Sequence, residues 1–159
     1  MLSSSSNVTM SVAAIPAEGA ARHGDLKAIT VNGQSTSYRQ LWDETRAYAG
    51  ALRARGVGEG DRVAVLIPNV TDFARVYYAV LSLGAVAVPI HALLKRREIA
   101  YMLEDSGARL LVCAAPLLGE GAAGAELCGV ETISVLAPGD LGGTRLEDLA
   151  AEATPIDTY

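Results

Sequence analysis

The sequence predicts an α/β protein built on an open, mainly parallel sheet with helices on both faces. Three observations carry that prediction. Segments beginning near Arg62, Ala85, Arg109 and Thr132 are apolar at successive positions rather than alternate ones, the pattern of strands buried on both faces. Helix-like stretches stand between consecutive strands, as in successive βα units. The units do not resemble one another in sequence, which separates them from a repeat array. The layering expected is therefore flavodoxin-like or Rossmann-like.

In chain order, residues 1–8 read as a serine-rich leader, 9–150 as a single α/β subdomain and 151–159 as a tail. A short helix is expected up to His23, with Pro16 near its start, where a missing N–H is tolerated. In "KAITVNGQSTSY" two strand-like pieces flank Asn32-Gly33, a strong hairpin signal. Ser37 and Gln40 form an S-x-x-Q capping box, and Leu41, Thr45, Tyr48, Ala49 and Leu52 then recur on one helical face until Gly56. "RVAVLIP" reads as a strand, followed by a helix whose stripe is Phe73, Val76, Tyr77, Val80 and Leu81, closed by Gly84. "AVAVPI", a helix carrying Ile99, Met102 and Leu103, "RLLVCAA", a weakly patterned helix from Leu117 to Cys128, and "TISVLA" complete the alternation. A glycine-rich loop and a short helix lead to the tail.

Composition narrows the function classes. The 159 residues are 50% hydrophobic and 19% charged, and a chain of this length buries about two thirds of its unfolded surface. A net charge of −5 argues against general affinity for nucleic acid or anionic lipid, leaving small molecules or protein as partners. No apolar run is long enough to span a bilayer, and no positive charge precedes a signal-like stretch, so a cytoplasmic chain is expected. Cys113 and Cys128 have no metal-ligand spacing and read as buried, reduced thiols.

Candidate chemistry is sparse. "GVGEGD" has glycines at 56, 58 and 60 but follows a helix and opens a strand, the reverse of a dinucleotide fingerprint, so it reads as a plain turn. "GDLGGTRLED" lacks the lysine of a Walker loop, and "GEGAAG" reads as small and flexible with no phosphate signature. No nucleophile motif includes His23 or His91, Glu104 and Asp105 read as solvated carboxylates, and neither catalytic nor metal-ligating residues are assigned. The stretch "LSLGAVAVPIHALLKRREI" differs because of its place. His91 lies just past the carboxyl end of a strand, where ligands of open parallel sheets collect, and Lys95, Arg96 and Arg97 open a helix whose dipole disfavours cations. These four residues are the candidate cofactor-binding group, against the alternative of a solvated helix start.

"SYRQLWDETRAYAGALRARGVGEGDRVAVLIPN" and "YYAVLSLGAVAVPIHALLKRREIAYMLEDSGARLLV" resemble the N-terminal part of the adenylate-forming enzymes, most closely bacterial acyl-CoA ligases. The shared features, in order, are Ser37-Tyr38 with Leu41, Gly60-Asp61 with Val63, Pro68-Asn69, Leu81 with Gly84-Ala85, and Pro89. The chain departs from that pattern at His91-Ala92, where such ligases often carry Asn-Pro, and at Arg96, where proline is frequent. The resemblance implies an ATP- and Mg²⁺-dependent enzyme that activates a carboxylic acid as an acyl-adenylate and passes it to CoA. It places the loop after the Ala85 strand near the CoA nucleotide. No "TSGTTG"-like run occurs, so the chain is expected to be the first piece of a ligase, its tail leading to the remainder, inactive alone, holding none of these cofactors tightly and able to self-associate. Two alternatives stay open: an adenylation unit that loads a carrier protein, and a non-catalytic flavodoxin-like binding or scaffold module.

Overall fold

A computed structural model describes residues 11–136 and 143–159. The expected leader and most of the glycine-rich loop before the last helix lie outside the described residues. Helix α1 (Ala14–His23) carries Pro16 in its first turn, where the backbone N–H groups have no intrahelical acceptor to lose. Strands β1 (Lys27–Val31) and β2 (Gln34–Ser37) form an antiparallel hairpin. Asn32 and Gly33 both have positive φ, the geometry that makes Asn-Gly the preferred two-residue turn.

Ser37 caps α2 (Tyr38–Ala54), its Oγ accepting the Gln40 N–H at 3.2 Å. The capping box is only half formed, because the Gln40 amide donates to Glu44 one turn further on instead of reaching back. All five residues expected on the buried face of α2 are buried.

The remaining elements are β3 (Arg62–Leu66), α3 (Thr71–Ser82), β4 (Val86–Pro89), α4 (Arg96–Ser106), β5 (Leu110–Ala114), α5 (Leu118–Cys128), β6 (Glu131–Val135) and α6 (Leu146–Glu152). The four later strands make one parallel sheet in the order β4-β3-β5-β6. Its two faces feed two cores. Val63 and Val65 of β3 and Leu110, Val112 and Ala114 of β5 meet α2, α3 and α6. Ala64, Leu66, Leu111 and Cys113 meet α4 and α5 on the opposite side.

Two expectations are corrected by strand order. β4 has the apolar sequence of a central strand, yet it lies at the sheet edge and is half exposed along its length. The other edge is shielded, because Ser134 of β6 donates its N–H and its hydroxyl to the Thr144 carbonyl.

"GEGAAG" is not a flexible run but the middle of α5. A Cβ on Gly121 would stand 2.6 Å from Cys113 Sγ, and one on Gly124 would stand 2.8 Å from the Arg96 carbonyl oxygen. Glycine at these two positions lets α5 approach both the sheet and α4.

Cys113 is fully buried, but Cys128 is only half-buried, since it sits at the exposed end of α5. Burial pushes the Cys113 thiol up to about 12. The unfolded chain releases this proton near the ordinary cysteine value of about 8.5. Stability contributed by the protonated thiol is therefore complete below that value and lost as pH rises toward 12, with a slope of up to about 1.4 kcal/mol per pH unit. Urea melts across this alkaline window are expected to show that slope, and Cys113→Ala is expected to flatten it while lowering the neutral-pH plateau. An unchanged slope in the variant would assign the alkaline loss to other groups.

The last residues run back along α2. Ile156 is buried, its N–H bonds the Arg46 carbonyl at 3.2 Å, and Arg46 Nε returns a bond to the Ile156 carbonyl at 2.5 Å. Tyr159 meets Trp42 edge-to-face at 5.9 Å. None of the helices among the described residues is long and apolar enough to cross a membrane.

Candidate functional site

Sheet order locates the site. Successive strands step outward from β3 to β4, then the chain crosses back to β5 on the far side and continues to β6. The reversal puts a crevice at the carboxyl ends of β3 and β5, the place where open α/β sheets bind ligands. A cleft of about 330 Å³ lies there, lined by Leu66, Leu94, Lys95, Arg96, Pro116 and Glu120 among others. Its floor is apolar and its rim is charged.

Arg96 is the first residue of α4, and its backbone N–H donates to Glu120 Oε2 at 2.9 Å while its guanidinium Nε approaches the same oxygen at 3.4 Å. The Arg96 N–H first, and then its guanidinium, hold the Glu120 carboxyl below the usual carboxylate range. Lys95 donates its own N–H to Glu98 Oε2 at 2.9 Å. The start of α4 is thus supplied with two carboxylates from the chain itself, which offsets the unfavourable placement of cations at a positive helix end.

The candidate residues do not converge on one cleft. Lys95 and Arg96 border the β3–β5 crevice. His91 faces a neighbouring hollow with Ile67, Pro68, Asn69, Phe73 and Pro89. There its Nδ1 accepts the Leu93 N–H at 3.2 Å, so it closes a local turn as an asparagine side chain would. Arg97 points to a third surface shared with Leu94, Tyr101 and Met102.

Both departures from the ligase pattern acquire a physical account: His91 substitutes for an asparagine-like turn former, and Arg96 supplies an N–H that proline lacks. Glu120 was not among the candidates, although the rule that flagged His91, a position just beyond the carboxyl end of a parallel strand, applies to it equally.

The glycine turn before β3 is a structural clamp. Asp61 Oδ2 accepts the Gly58 N–H at 2.9 Å and pairs with Arg109 at 2.9 Å, and these two contacts hold its carboxyl low. Arg109 also donates to the Gly56 carbonyl. No three His, Cys, Asp or Glu side chains converge to hold a metal ion among the described residues, so no Mg²⁺ ligand is assigned to them.

The family profile described as AMP-binding enzyme matches residues 17–154. The chain belongs to the AMP-binding enzyme family. The resemblance to adenylate-forming acyl-CoA ligases read from the sequence is thereby confirmed. Among curated relatives in this AMP-binding family, the long-chain-fatty-acid–CoA ligase FadD13 of Mycobacterium tuberculosis is 40% identical over 86 residues, covering 52% of this chain and 17% of that protein. The 3-hydroxybenzoate–CoA/4-hydroxybenzoate–CoA ligase of Thauera aromatica is 38% identical over 95 residues, covering 60% of this chain and 18% of that one. The chain therefore spans less than a fifth of the length of these relatives. A solved structure of a putative long-chain-fatty-acid CoA ligase from Rhodopseudomonas palustris superposes with a TM-score of 0.81 at 27% identity, over 94% of this chain and 38% of that one. The expected parallel α/β fold with helices on both faces is the fold of AMP-binding CoA ligases in their N-terminal part.

Proposed function

We propose that this chain is the N-terminal segment of an ATP-dependent carboxylic acid–CoA ligase, and that its part in the reaction is to hold the phosphorylated end of CoA at the β3–β5 crevice. The observation that carries the reading is the convergence of Lys95 and Arg96 on a cleft at the point where strand order reverses. The chemistry of the donors fits a phosphate: an ammonium on a free stem beside a planar guanidinium. Arg97 and His91 open on other surfaces and are left out of this contact. ATP and Mg²⁺ supply the activated phosphoryl chemistry in such enzymes. This chain contains no Ser/Thr/Gly-rich phosphate loop, so its residues contribute orientation of the thiol donor rather than adenylation.

A charge-assisted contact contributes about 1.5–3 kcal/mol. In the ligase that carries this segment, replacing Lys95 and Arg96 together by alanine is expected to weaken CoA about tenfold or more while leaving the affinities for ATP and acid unchanged. Arg97→Ala, the neighbour on the wrong face, is the control and leaves all three unchanged. The chain alone is expected to release no pyrophosphate from ATP with fatty or aryl acids. Unaltered CoA affinity in the double variant would return Lys95 and Arg96 to a purely structural role. Loading of a carrier protein with no discharge to CoA would favour the adenylation unit instead.

A further inference from the structure

Helix α4 carries its charges in the wrong places for its own dipole. Lys95, Arg96 and Arg97 stand at its N-terminal end, and Glu104 and Asp105 at its C-terminal end, where a macrodipole favours the opposite signs. Glu98 and Glu120 answer the backbone N–H groups of Lys95 and Arg96. Arg97, Glu104 and Asp105 have no ion-pair partner among the described residues, and all three are exposed.

Arg97, Tyr101 and Asp105 follow one another at four-residue intervals, so they share one helical face at steps of about 6 Å. Tyr101 is 63% exposed at the middle of this stripe, and Leu93, 77% exposed, lies just before the helix. Leu94 and Met102 line the same apolar surface. The stripe is symmetric about Tyr101: a cation one turn before it, a carboxylate one turn after.

We infer that this face of α4 docks against the same face of a second copy of the chain, the two helices antiparallel about a two-fold axis at Tyr101. In that arrangement Arg97 lies opposite the partner's Asp105, with Glu104 flanking its neighbour, and the relation repeats through the two-fold. The negative end of each helix dipole comes to lie beside the cations of the other. Charge self-complementarity selects a second copy over an unrelated partner. An interface built on one eleven-residue helix is small, so the dimer is transient and forms reversibly with concentration. The surface is distinct from the crevice assigned to CoA, and the inference stands whether or not that assignment does.

The experiment is sedimentation equilibrium on the 159-residue chain from micromolar to millimolar concentration, at low and high salt. The expected result is a mass rising from monomer toward dimer, less so at high salt. Arg97→Glu is expected to weaken the dimer at least tenfold by placing like charges opposite one another. The swap Arg97→Glu with Asp105→Arg in one chain restores the pairing with reversed sign and is expected to recover association to within about threefold. Circular dichroism of each variant fixes the folded state. A chain that stays monomeric throughout, a dimer indifferent to Arg97→Glu, or a swap that fails to recover association would each overturn the inference.

Discussion

Replacing Arg75 by alanine is expected to lower the unfolding free energy by about 3–5 kcal/mol, the cost of leaving buried charge without its partner. The guanidinium ties α2 to α3: its Nε stands 2.5 Å from Glu44 Oε2, and Nη1 donates to Asp72 Oδ1 at 3.0 Å. Asp72 is 6% exposed and also accepts the Tyr48 hydroxyl at 3.3 Å. Burial, then the nearby Asp72 charge, drives the Tyr48 hydroxyl well above its ordinary value. Burial alone would weaken the Arg75 cation, but Asp72 and Glu44 outweigh it and raise its pKa. Urea denaturation measures the loss. Adding Asp72→Asn to the alanine variant is expected to recover part of it, because the neutral amide is cheaper to bury than an unpaired carboxylate. A loss below about 1 kcal/mol would reduce the cluster to the value of an exposed pair.

Gly124→Val is expected to destabilise the fold by about 1–3 kcal/mol, through overpacking. The new Cβ would meet the Arg96 carbonyl and, at 2.9 Å, the Ile99 side chain. The carbonyl belongs to the first residue of α4, so it cannot yield without disturbing the start of that helix and its bond to Glu120. Gly119→Ala, in the same helix with no atom within 4 Å of its Cβ, is expected to stabilise by about 0.5–1 kcal/mol, since it removes only backbone freedom from the unfolded chain. Thermal melts of the two variants should therefore move in opposite directions. A neutral Gly124→Val would show that α4 and α5 can separate at little cost.

The contrast between these glycines explains what the sequence reveals and what it leaves hidden. Periodicity and capping are local, so the four parallel strands, the Asn32-Gly33 hairpin and the Ser37 cap are all legible from neighbouring residues. Gly119, Gly121 and Gly124 look alike in the chain, because what distinguishes them is the distance to β5 and α4. The exposure of β4 has the same cause: "VAVP" reads as interior, and only the order β4-β3-β5-β6 puts it at an edge. Asp72 resembles an ordinary acidic residue in a first helical turn, and its partner Tyr48 lies 24 residues earlier. For the site, Lys95, Arg96 and Arg97 are consecutive in sequence and suggest one cluster, yet α4 begins among them and turns Arg97 away by about 100°. Glu120 was hidden because the loop that brings it to Arg96 follows a different strand.

β3 and β5 are common walls of two chambers. Leu110, Val112 and Ala114 face the layer of α2, α3 and α6, while Leu111 and Cys113, between them in the chain, face α4 and α5. Peeling away either helical layer would expose to water one flank of strands whose other flank is still sealed, and the hydrogen bonds joining β3 to β5 would have to bear that loss for both sides. The two chambers consequently have no independent melting points: the chain holds or releases its α/β body as one cooperative unit, and partial opening is confined to pieces outside the shared wall, such as the β1–β2 hairpin.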